Sequence, residues 1–151
     1  MSHFKYIILG GGNASGYAAR QFVKLGGKRG ELAIITDEQF VSYERPALSK
    51  AYLFPENPAR LPGFHTCVGV GGDRQDESWY EKHGITYLTE TKITCLDVKS
   101  KMLTTQHGTK LGYEKLIVAT GARVSFGLQP CLTMATAPRC TSSCASTSRR
   151  F

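Results

Sequence analysis

The chain has 151 residues, 41% of them hydrophobic, and a formal net charge of +7. That length suits one domain with a real core, and no apolar run approaches the ~18 residues that a membrane span needs. The charge divides unevenly, +4 in residues 123–151 and +3 before them. The tail's arginines are scattered rather than set in a folded stripe with aromatic readers, so nucleic-acid binding is not expected. In chain order, residues 4–9 read as a short apolar strand that runs straight into Gly10-Gly11-Gly12-Asn13-Ala14-Ser15-Gly16. Helical spacing follows over 14–25, and Gly26-Gly27 stops it. A second strand, Leu32-Ala33-Ile34-Ile35, precedes the acids Asp37 and Glu38.

This is the layout of a dinucleotide-binding βαβ unit over residues 4–36, and each piece has a physical task. Gly10 allows the tight turn out of the strand. Gly12 lacks a Cβ, so a pyrophosphate can approach its backbone, and Gly16 lets the helix lie close on the sheet. The helix N-terminus offers unbonded N–H groups and the positive end of a dipole to phosphates. An acid at the end of the second strand can accept hydrogen bonds from a ribose. The turn has one residue more before its last glycine than the commonest form, and that spacing suits flavin and nicotinamide dinucleotides alike.

Residues 37–73 are rich in Pro and Gly with little periodicity, and so long a loop stretch usually wraps a ligand or carries function. A short helix is predicted over 77–83, ended by Gly84, and then strands over 85–88, 92–98, 102–106 and 115–119, closing in Thr120-Gly121. Alternation from 92 to 114 predicts an antiparallel meander. After Gly121 no period survives, so the chain is divided into a folded part, 1–122, and a tail, 123–151, expected to be disordered. The first strand begins close behind Met1, so no secretory leader is expected. Cys67 and Cys95 stand alone as reduced thiols, and Cys131, Cys140 and Cys144 lack the spacing of a zinc site.

Tyr43-Glu44-Arg45-Pro46-Ala47-Leu48-Ser49-Lys50, with Tyr52-Leu53-Phe54-Pro55 and Ala59-Arg60-Leu61-Pro62-Gly63-Phe64-His65 after it, resembles the N-terminal part of plant monodehydroascorbate reductases. Those are FAD flavoproteins that use NADH or NADPH to reduce the monodehydroascorbate radical, and the resemblance runs from Phe4 to Gly121. It implies an α/β, Rossmann-like FAD/NAD(P)-binding domain with three ββα layers, incomplete in this chain. It implies that Gly10, Gly11, Gly12, Asn13 and Ala14 line the FAD pyrophosphate turn. Glu38, rather than Asp37, is implied as the adenosine-ribose ligand. Arg45 and Lys50 would face the cofactor, and the backbone of Ile93 would meet the adenine. The residues give Ile93 a second reading, plain sheet core. Two cations suit a diphosphate and a flavin that becomes anionic when reduced.

The chain departs from the family's pattern in two places. Asn13 and Ser15 stand where this turn usually has small apolar residues, and Asn13 could cap the helix. Beyond Gly121 the family continues into a second nucleotide domain and returns to finish the FAD domain, which the tail does not resemble. The parallel sheet is therefore expected to keep an open edge. The implied activity is cytoplasmic, NAD(P)H-dependent reduction of a small-molecule radical, with no membrane partner, no metal and no catalytic side chain of its own. A catalytically inactive FAD-binding fragment is the alternative. A short-chain nicotinamide dehydrogenase fits poorly, since none of the seven tyrosines has Lys four residues on.

Overall fold

The computed structural model describes residues 2–45 and 75–122, whose elements all belong to one unit, Met1–Gly121. They run β1 (Ser2–Leu9), α1 (Asn13–Lys24), β2 (Leu32–Ile35), α2 (Glu77–Lys82), β3 (Thr86–Leu88), β4 (Ile93–Asp97), β5 (Met102–Thr105) and β6 (Lys110–Val118). The strands join in one sheet of order β3-β2-β1-β6-β5-β4. β1 pairs in parallel with β2, Ile7 opposite Ala33 and Ile8 opposite Ile34, and in parallel with β6 on its other side. β3 continues the parallel part beside β2, whereas β4, β5 and the start of β6 are antiparallel.

Two apolar cores lie on the two faces of the parallel strands, because successive side chains of a strand point to opposite sides. Ile8, Leu32 and Ile34 pack with Ala19 of α1 and Tyr80 of α2. Ile7, Ala33 and Ile35 pack instead with Leu103 of β5 and with Leu111 and Tyr113 of β6. Helices cover one face and the meander folds over the other, so the predicted ββα layering is what the chain builds. β2 is buried at every residue, as a parallel strand covered on both faces must be. α2, only 6 residues long, starts where the Asp76 carboxylate accepts from the Trp79 N–H at 2.9 Å, an N-cap bond.

The last strand differs most from the sequence reading, which began it at 115. β6 begins at Lys110 and serves two neighbours: residues 110–112 pair with β5, and its length from Leu111 to Val118 pairs with β1. Gly112 lies within the strand, and a Cβ there would meet the His3 ring at 2.7 Å. Beyond Tyr113 the side of β6 turned from β1 pairs with no strand among the described residues. Ile117 and Val118, which point to opposite faces of the sheet, are 46% and 55% exposed. The readings made for residues 46–74, including Lys50 and Cys67, and for the tail 123–151 lie outside the described residues.

Candidate functional site

The C-terminal ends of β1 and β2, the N-terminus of α1 and the loop after β2 meet at one end of the sheet. The Gly10 N–H donates to Ile35 O at 2.7 Å, and Gly10 adopts φ +116, which an L side chain resists. A Cβ at Gly10 would stand 2.3 Å from the carbonyl oxygen of Ala119, just past β6. The turn is therefore pressed against Ala119 and Thr120, just past the end of β6. The Ser15 hydroxyl donates to Gly10 O at 2.5 Å and braces the turn from inside the helix.

Gly11 and Gly12 are glycines for different reasons. At Gly11 a Cβ would meet Thr36 Oγ1 at 2.6 Å, Thr36 Cβ at 2.8 Å and the Tyr87 hydroxyl at 3.1 Å, so the protein's own packing excludes it. At Gly12 a Cβ would meet, among the described residues, only the Arg45 guanidinium, 3.5 Å away at Nε, which leaves that side of the turn room for a ligand. Gly11→Ala is accordingly expected to cost about 1–3 kcal/mol of unfolding free energy through overpacking. Gly12→Ala, at an N-cap, is expected to cost about 1 kcal/mol or less. A urea titration of both variants checks the contrast, and equal losses would contradict it.

Asn13 does not cap α1. Gly12 is the N-cap residue, without a side-chain cap bond, and Asn13 Oδ1 instead accepts the backbone N–H of Arg45 at 3.2 Å. Asn13 thus ties the turn to the loop after β2. Among the described residues, the N–H groups of Gly11, Gly12, Asn13 and Ala14 meet no backbone acceptor. These are the orphan donors of a helix start, and Ala14 is exposed beside them. Arg45 Nη2 pairs with Glu38 Oε1 at 2.5 Å, and the guanidinium lies 5.3 Å from the Tyr43 ring centroid. The Tyr43 phenol is held above its usual range, by burial first and then by its hydrogen bond to the Glu38 carboxylate.

The loop carrying Glu38 is anchored from outside. Glu90 takes a left-handed φ of 48; its N–H donates to Glu38 O at 3.0 Å, and the next N–H, of Thr91, donates to Thr36 O at 2.8 Å. Ile93 lies two residues further on, at the start of β4. Its side chain packs into the core beneath the meander, which fits the sheet-core reading of that residue and leaves only its backbone for a ligand. The structure brings together Gly10, Gly11, Gly12, Asn13, Ala14, Glu38 and Arg45, and sets Ile93 one segment away. The sequence reading overlooked Thr36, Ser42 and Tyr87, which pack beneath the turn. None of the three stood in a motif; they sit in strands or loops whose spacing shows no cross-sheet neighbour.

A strand–glycine turn–helix with orphan N–H donors, an arginine over the open glycine and an acid after the second strand is the class of a dinucleotide-binding α/β domain. Residues 4–136 match the family model described as pyridine nucleotide-disulphide oxidoreductase, and the chain belongs to that family. It is 57% identical over 130 residues to the seedling isozyme of monodehydroascorbate reductase from Cucumis sativus, covering 83% of this chain and 30% of that protein. It is 55% identical to the cytosolic monodehydroascorbate reductase 4 of Oryza sativa, covering 84% of this chain and again 30% of the relative. Other relatives carry peroxisomal or chloroplastic names. Among solved structures, NADH:rubredoxin oxidoreductase from Clostridium acetobutylicum superposes with a TM-score of 0.64 at 28% identity, over 83% of this chain and 29% of that one. The chain thus spans about 30% of the length of the curated relatives it matches. Among the described residues, no helix is long and apolar enough to cross a membrane.

Proposed function

We propose that this chain is the FAD-binding part of an NAD(P)H-dependent oxidoreductase that reduces the monodehydroascorbate radical to ascorbate in the cytoplasm. The observation that carries the reading is the donor set at the turn. Among the described residues, the N–H groups from Gly11 to Ala14 meet no backbone acceptor, and the Arg45 guanidinium stands beside Gly12. That combination suits a diphosphate, which takes backbone N–H bonds at a helix start and charge-assisted bonds from arginine. Gly10 and Gly11 shape the turn, and Glu38 offers its carboxylate to a ribose. Lys50, five residues past Arg45 in the same motif, would add a second cation near the flavin. The backbone of Ile93 would border the adenine, and residues 123–151 would lie outside this domain.

When bound, FAD supplies a ring that accepts a hydride from NADH or NADPH and releases single electrons to two radicals. The chain's own residues bind and orient it, and none needs to act as acid, base or nucleophile. The likeness to monodehydroascorbate reductases supports the substrate, and the cytosolic rice relative supports the compartment.

Grafting Met1–Gly121 onto the remaining length of the Cucumis sativus relative and assaying NADH oxidation by the ascorbate radical tests this reading. Radical-dependent NADH oxidation is expected. A folded, flavin-loaded chimera without it would contradict the proposed activity. A second reading, an FAD-binding polypeptide without turnover, follows from the chain's share of its relatives' length. It fits the 151 residues alone, for which no NADH oxidation is expected.

A further inference from the structure

We infer that Tyr87 is a positioning residue for dinucleotide binding, its hydroxyl holding the Tyr43–Arg45 arm in place over the glycine turn through Ser42. The inference rests on the FAD reading above and adds two residues to it. Tyr87 stands in β3, opposite Ile34, and its ring meets Tyr80 edge-on at 4.8 Å between centroids. That packing fixes where the hydroxyl goes. It lies 3.0 Å from Ser42 Oγ on one side, and 3.1 Å from the place of a Gly11 Cβ on the other.

Ser42 is fully buried, and it is the residue before Tyr43. The Tyr43 ring in turn lies under Arg45, whose backbone N–H is held by Asn13. A chain of contacts therefore runs from β3 through Ser42 and Tyr43 to the cation over Gly12. The Tyr87 phenol, held above its usual range chiefly by burial, is protonated at neutral pH as any tyrosine is, and either hydroxyl can donate to the other. Ordinary core packing would need the ring alone. Tyr87 is half-buried, and the partner of its hydroxyl is the buried Ser42, the residue that leads into the arm.

FAD titrations of the full chain, followed by flavin fluorescence, separate the two roles. Tyr87→Phe keeps the ring and is expected to weaken FAD binding about 5-fold, the worth of one partly buried hydrogen bond. Combining Ser42→Ala with Tyr87→Phe removes both partners, so stability should return close to wild type while FAD binding stays weak. Arg45→Ala should then cost several-fold less in the Tyr87→Phe background than in the wild type, because the arm is already released. Packing alone would make the two losses multiply independently.

Tyr87→Phe binding FAD within about twofold of wild type, or fully independent losses in the cycle, would overturn the inference alone. Folded wild-type protein that takes up no FAD would overturn the underlying reading, and the inference with it.

Discussion

Gly10→Ala should lose about 3–5 kcal/mol of unfolding free energy, adding left-handed backbone strain to a steric clash. Its φ of +116 disfavours any L side chain, and the new Cβ would fall 2.3 Å from Ala119 O. That carbonyl has little freedom to retreat, since the Ala119 N–H donates to Leu9 O at 2.8 Å and closes the β1–β6 ladder. The turn itself is held from the other side by the Gly10 N–H bond to Ile35 O. A domain of this size is stable by only about 5–15 kcal/mol, so the variant stands near the limit of folding. Gly26 is the matched control: its φ is +74, but a Cβ there would meet nothing within 4 Å. Gly26→Ala should therefore cost only about 1 kcal/mol. Urea unfolding followed by the fluorescence of Trp79, the sole tryptophan, compares the two. Equal losses would remove the close approach to β6 as the cause.

Arg45→Ala should weaken FAD binding about 10- to 100-fold, the loss of one or two charge-assisted hydrogen bonds. The same substitution should barely change stability. The ion pair with Glu38 is half-exposed, with side chains 48% and 33% accessible, and such pairs contribute about 0–1 kcal/mol. A functional loss without a structural one is the mark of a ligand contact. Salt supplies a second readout: affinity in the wild type should fall as ionic strength rises, and in Arg45→Ala it should fall less steeply. Isothermal titration at two salt concentrations measures both effects. An Arg45→Ala variant with unchanged affinity would detach Arg45 from the site.

Residue patterns show the site's skeleton because its parts follow one another along the chain. The strand, the turn from Gly10 to Gly16, the helix and the acids lie within the first 38 residues, and each has a local signature. The sequence reading of β6 failed where one strand serves two neighbours of opposite direction. Asn13 looks like a cap because caps are local, whereas its real partner, Arg45, is 32 residues away. Ser42, Thr36 and Tyr87 were silent for the same reason. Their roles exist only after β3 is laid beside β2, and a single sequence does not display that pairing. Glu90, left-handed in a Thr-Glu-Thr run, gives no glycine or asparagine signal at all.

The proposed function requires that the Gly10–Gly16 turn, with Arg45 and Glu38, take FAD rather than a nicotinamide dinucleotide. A competition titration of the folded 151-residue chain addresses it directly, with flavin fluorescence reporting occupancy and NADH as the competitor. Saturable binding of one FAD per chain is expected, which excess NADH fails to displace and Arg45→Ala weakens. Folded protein that ignores FAD, or that releases it to NADH in simple competition, would contradict the account.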